Sequence, residues 1–278
     1  MTTATTTSTS VDASHRLQKT NRRLRFNQRI LTWMAVAMFV FLYLPIFILI
    51  IYSFNENKVV GVWSGFSLRW YAELFQDEAI ASALWVSLWV AFWSTIISTI
   101  LGTLVALSLE RFRYRGRTTL DAVIYLPVII PDIVMALSTL LFFVMFAIPL
   151  SRYTILIAHI AFNISFVAIG VRARLAGMDA RLEEAAADLG ANEWVTVRRI
   201  TLPLLMPGIV AGALLAFTLS LDDFVITFFV AGPGSTTLPV RVYSMIKFGV
   251  TPEVNAVSTL MFVGSTLLVI FSLLLQRR

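Results

Sequence analysis

Long apolar runs alternate with short polar ones along most of this chain, and the runs outlast the stripes of a soluble amphipathic helix. Six approach the ~20 residues that a helix needs to cross a hydrocarbon layer about 30 Å thick. They cover residues 30–54, 80–109, 120–148, 154–171, 204–230 and 254–275, the fourth being the shortest. The pattern predicts an all-α, polytopic membrane protein with six transmembrane helices. The stretch between the fourth and fifth runs, 178–203, is instead polar: "MDARLEEAAADLGANEWVTVRRITLP".

That polar stretch has its own punctuation. Asp179 is placed to cap a helix over 180–189, and Gly190 to end it in the left-handed conformation. Asn192 is placed to cap a second helix, "EWVTVRRI", expected to stop before Pro203. Ala185, Ala186 and Ala187 give the first helix a face of small side chains. From these residues alone the segment is either a solvated amphipathic loop or a platform for a partner. Elsewhere, a short surface helix is expected near residues 68–75, and Gly232, Pro233 and Gly234 open a turn before the last run.

Composition agrees with a membrane protein. Mean hydropathy is +0.81 and only 14% of the 278 residues are charged, against roughly 25% in soluble domains. With no cysteine and only two histidines, His15 and His159, thiolate chemistry is excluded and no metal site is expected. Residues 1–29 form a Thr/Ser-rich and then basic tail, expected to be disordered up to about His15. Residues 30–278 form the transmembrane domain. The first apolar run exceeds twenty residues and lacks a small-residue cleavage site, so it reads as a retained anchor and not a signal peptide.

The net charge of +6 raises nucleic acid as a partner, but its distribution argues otherwise. If the tail is cytoplasmic, seventeen of the 22 lysines and arginines fall on the cytoplasmic side, spread over every segment there. Outside remain Lys58, Arg69, Arg152, Arg241 and Lys247. The positive-inside bias predicts cytoplasmic termini and a cytoplasmic 178–203 loop.

Well inside the apolar runs lie Asp132, Asp222 and Asp223. A charge at the centre of a membrane helix costs about 2.5–3.5 kcal/mol on insertion scales, so such residues are rare. Spaced carboxylates could hand a cation along a path. Alternatively, Asp132 caps a helix restarting after Pro131, and one of the pair locks a neighbouring arginine. Adjacent helical residues point about 100° apart, so at most one of the pair faces a pore squarely. His159 reads as a helix-packing hydrogen bonder. Trp63, Trp70 and Tyr71 either meet an external partner or seat in lipid headgroups. Gly102, Gly170, Gly208 and Gly212 are expected at close helix contacts.

The sequence Glu184-Ala185-Ala186, followed by Gly190 and then Ile200-x-Leu202-Pro203, resembles the EAA loop of ABC importer permeases. Residues 217–260, with 43–55 ("YLPIFILIIYSFN") and 131–138 ("PDIVMALS"), resemble the spermidine/putrescine permease subunits of that family. The resemblance implies a type I ABC importer permease fold in a bacterial inner membrane, translocating polyamines. It further implies that Glu184, Ala185, Ala186 and Gly190 dock an ATPase subunit, present in two copies. A second, non-identical permease and an extracytoplasmic polyamine-binding protein would complete the assembly. The chain has no GxxxxGK[ST] loop, so ATP and Mg would be held by the partner, with no cofactor here. A proton-driven transporter of organic cations is the alternative; such proteins often carry internal repeats, and none is evident. A membrane-embedded enzyme lacks any recognisable constellation.

Overall fold

A computed structural model of the chain describes residues 6–58, 61–179, 181–247 and 249–276. Two compact units emerge, Met1–Tyr52 and Ser53–Arg278. The first consists of helix α1, Thr6–Tyr52, whose apolar part is Gln28–Tyr52. From Thr6 onward the tail expected to be disordered is helical. Extending an existing helix avoids the cost of nucleating one, so the span carries these polar residues with it. Residues 1–5 and the C-terminal Arg277 and Arg278 lie outside the described residues.

In the second unit, α2 (Arg69–Leu74) is the expected surface helix. The long helices α3 (Glu78–Arg111), α6 (Arg152–Leu175) and α9 (Leu202–Asp222) pack together as its centre. Caps set where they begin: Asp77 Oδ1 accepts from Ala79 N at 2.7 Å, and Ser151 and Thr154 form a capping box on α6. Close approach follows from small residues. A Cβ on Gly102 would sit 2.8 Å from Val167 Cβ and 2.9 Å from Ile164 O, so α3 meets α6 only with glycine there. Gly208 is as tight against Arg174, whereas Gly170 and Gly212 are in ordinary contact.

Among the described residues five helices are long and apolar enough to cross a membrane, or six if one bent pair counts as a span. That pair is α4 (Arg117–Ile129) and α5 (Asp132–Met145), which meet at 114° where a single third span was expected. Pro131 causes the bend: Ile130, which precedes it, is extended at ψ 134°. The fifth span also differs. It stops at Asp222, Asp223 is extended at ψ 124°, and α10 (Val225–Val230) restarts the chain. At its other end it begins earlier than expected. The short helix α8 (Glu193–Thr196) runs without a stop through a π turn, Val197–Thr201, into α9. Leu202 N bonds back to Val197 O, and this wider turn admits Pro203 at the start of α9.

Helices α11 (Leu238–Lys247) and α12 (Pro252–Gln276) complete the bundle, α12 packing on α9 and α2. The segment after α1 is ordered by Asn55, which is fully buried. Its side chain donates to Val62 O and accepts from Ser64 N, and its carbonyl accepts from Trp70 Nε1 at 2.7 Å. Trp70 is therefore a core residue, clustered with Ile80, Leu238 and Val257, and not a headgroup anchor; Trp63 does remain exposed.

Candidate functional site

The polar loop forms the first candidate site. Asp179 accepts from Arg181 N at 3.0 Å and starts α7, Arg181–Asp188. Gly190 ends it at φ +83°. Gly190 N bonds Ala187 O and Ala191 N bonds Ala186 O, the paired closure of a Schellman turn. Asn192 Oδ1 then accepts from Val195 N at 2.9 Å and starts α8. Both expected caps and the left-handed turn are present.

The loop's faces are less simple than the run of alanines suggests. Glu184, Ala185, Ala187 and Gly190 are exposed, but Ala186 is buried, because residues one position apart on a helix point in different directions. Apolar side chains that sequence reasoning did not single out project from the loop. Leu189 is 90% exposed, Trp194 70% and Leu182 46%. Their position on either side of a C-terminal glycine was the available signal.

Glu183 anchors the loop to the bundle. It pairs with Arg111 at the end of α3, and Thr201 donates to it at 2.7 Å while accepting from Arg111 at the same distance. A second tie lies nearby, where Arg172 of α6 pairs with Glu110 of α3 and Asp121 of α4. Sequence reasoning counted these arginines only for orientation. Removing the first tie, by Arg111→Gln, is expected to cost about 1 kcal/mol given its partial exposure. Amide exchange over residues 181–191 should then quicken about fivefold, with the rest of the bundle unaffected.

The three acids lie at helix breaks. Asp132 is exposed as the first residue of α5, directly after the bend. Asp223 is turned inward. It accepts from Ile226 N at 3.3 Å, from Thr227 N and Thr227 Oγ1 at 2.8 Å each, and from His159 Nε2 at 3.2 Å. His159 is buried, its Nδ1 lies 2.7 Å from Ser220 Oγ, and Ser220 in turn accepts from Ser94. These bonds fasten the α9–α10 break to α3 and α6. Asp222 faces the other way, is exposed, and has only Ser265 of α12 as a hydrogen-bond partner among the described residues. No group of three or more potential metal ligands occurs among the described residues.

A bundle of apolar helices broken within its spans, with a doubly capped polar loop, has the architecture expected of a membrane transport subunit. Residues 98–278 match the family of binding-protein-dependent transport system inner membrane components, and the chain belongs to that family. It is thus a multi-pass inner-membrane permease subunit and not an enzyme. It is 43% identical over 241 residues to the spermidine/putrescine transport system permease protein PotC of Escherichia coli (strain K12), covering 87% of this chain and 91% of that one. It is 48% identical over 229 residues to the putrescine transport system permease protein PotI of the same organism, covering 80% and 82%. Among solved structures, a bacterial ABC transporter involved in the import of the acidic polysaccharide alginate matches with TM-score 0.75 at 20% identity. The match spans 95% of this chain and 99% of that one. The fold is that of type I ABC importer permeases.

Proposed function

We propose that this chain is the transmembrane subunit of an ATP-driven polyamine importer, with the 178–203 loop as its socket for the ATPase. The observation that carries the docking reading is the protruding loop itself. Glu184, Ala185 and Gly190 lie open beside Leu189 and Trp194, apolar groups that water alone would not favour. Ala186 supports that surface from beneath. The positive-inside charge bias supports a cytoplasmic position for this loop and both termini. Two ATPase copies, a second and non-identical permease, and an extracytoplasmic binding protein complete the complex. ATP and Mg are held by the ATPase, and this chain transmits its closure to the path.

The names of the relatives above support a polyamine as the solute, and so do the intramembrane acids. Asp132 and Asp222 present carboxylates at the two helix breaks, where a passing ammonium group finds an anion and leaves again. Asp223 shapes the path by holding the second break and does not contact the solute. Rocking of the helices alternates access between the two membrane faces.

The test is polyamine uptake into vesicles carrying the whole complex, with ATP trapped inside and the proton gradient collapsed. Uptake is expected to continue at an undiminished rate and to cease without ATP. Uptake that dies with the gradient while ATP remains would replace this reading by a proton-driven one.

A further inference from the structure

The neighbouring acids Asp222 and Asp223 are alike in sequence and opposite in surroundings. Asp223 spends its oxygens on the protein. Asp222 opens onto a cavity of about 430 Å3 between α3, α9 and α12, within the size range of small-ligand sites. Its wall is apolar, built mainly by Leu84, Leu88, Phe217, Leu221, Val257 and Met261. Asp222 and Ser265 supply the only polar side chains among the lining residues. Ser265 Oγ lies 3.0 Å and 3.3 Å from the two carboxylate oxygens, and its single proton can serve only one of them at a time. No lysine, arginine or histidine pairs with Asp222 among the described residues.

From this arrangement, and building on the proposed function, we infer that the cavity is a subsite for the alkylammonium end of the transported solute. The carboxylate supplies the counter-charge for one ammonium group, and the wall receives the methylene stem. A hard divalent cation fits poorly, since it asks for six or more oxygen ligands and the cavity offers one carboxylate and one hydroxyl. A neutral alkyl chain fits the wall but brings no counter-charge to the carboxylate. Ser265 lies thirteen residues into α12, so the anion sits about 20 Å along that helix at 1.5 Å per residue. The carboxylate therefore sits midway along α12, and the cavity runs from it to Leu74 and Phe75 at the end of α2 and Ile80 at the start of α3. Because it presents one anion, it reads one amine and a stem, and leaves the count of further amines to other parts of the assembly.

The experiment is calorimetric titration of the purified membrane complex with n-hexylamine, which carries one ammonium group on an unbranched stem. Binding is expected in the wild type, with 1-hexanol far weaker. Asp222→Asn should raise the Kd for hexylamine about tenfold, the cost of losing a charge-assisted contact, and Asp222→Glu should recover most of it. A second variant guards against a folding defect. Gly264 lines the cavity, and a Cβ placed on it meets nothing within 4 Å, so Gly264→Leu fills the space without touching the acid. It should weaken hexylamine binding to at least the same degree. An unchanged Kd in both Asp222→Asn and Gly264→Leu would overturn the subsite, and so would equal binding of hexanol, which would mark a lipid-filled hole. Those outcomes are read without any transport. Absence of polyamine uptake by the wild-type complex would instead overturn the functional reading.

Discussion

Gly190→Val is expected to impair coupled transport severely while leaving the membrane bundle folded. At φ +83° the backbone is in the left-handed region, and the space around the missing Cβ is empty within 4 Å. The penalty is therefore conformational and not a clash: roughly 1–2 kcal/mol for a residue in that region, with β-branched side chains among the worst placed. Helix α7 has only eight residues, too few to stand alone in water. Its end is held by the two hydrogen bonds that close the turn, and relaxing φ breaks both. Leu189, Ala185 and Trp194 would then lose their fixed placement relative to one another. ATP-driven uptake should fall at least about tenfold, with ATP hydrolysis indifferent to solute or with the ATPase lost on purification. Gly190→Asn should retain much of the activity, because asparagine tolerates the left-handed conformation. Undiminished coupled uptake by the valine variant would remove the turn from the mechanism.

The second large effect separates the paired acids. Asp223→Ala removes the acceptor for Ile226 N, Thr227 N, Thr227 Oγ1 and His159 Nε2 together. Intramembrane hydrogen bonds average about 0.6 kcal/mol each, so four amount to about 2 kcal/mol, and the buried histidine left behind adds to that. The α9–α10 break should loosen and the purified complex should melt several degrees lower. Asp222→Ala removes one bond to a serine and should leave the melting temperature within about 1 °C of wild type while lowering polyamine uptake. Melting curves and uptake measured on the same preparations check both arms. Equal destabilisation by the two substitutions would mean that Asp222 too is structural.

Much of the fold was legible because the hydrocarbon layer imposes one length on every crossing helix. The caps at Asp179 and Asn192 and the turn at Gly190 were legible because each rests on the chemistry of a single residue. What escaped the sequence was what depends on neighbours far along the chain. Nothing local says that Asp223 will find His159, sixty-four residues away, and not a cation. The run of three alanines gives no hint that Ala186 turns inward, since that depends on which side of α7 meets the bundle. Pro203 looked like a stop and proved to be admitted by a π turn, which no propensity scale anticipates. Pro131, by contrast, did mark a real break, and a kink there was among the readings left open. Trp70 was open to an external partner or the lipid headgroups on the habits of its residue type, and the buried Asn55 carbonyl claimed it instead.

Glu193 to Asp222 is a single uninterrupted rod of 30 residues. One end belongs to the loop that carries Trp194, and the other ends in the carboxylate that faces the cavity. Such a rod is about 45 Å long. Pivoted at one tip, it swings the other by about 4 Å for a tilt of only 5°. That swing exceeds the length of any hydrogen bond, so a small tilt at the loop end is enough to make or break a polar contact at the carboxylate end.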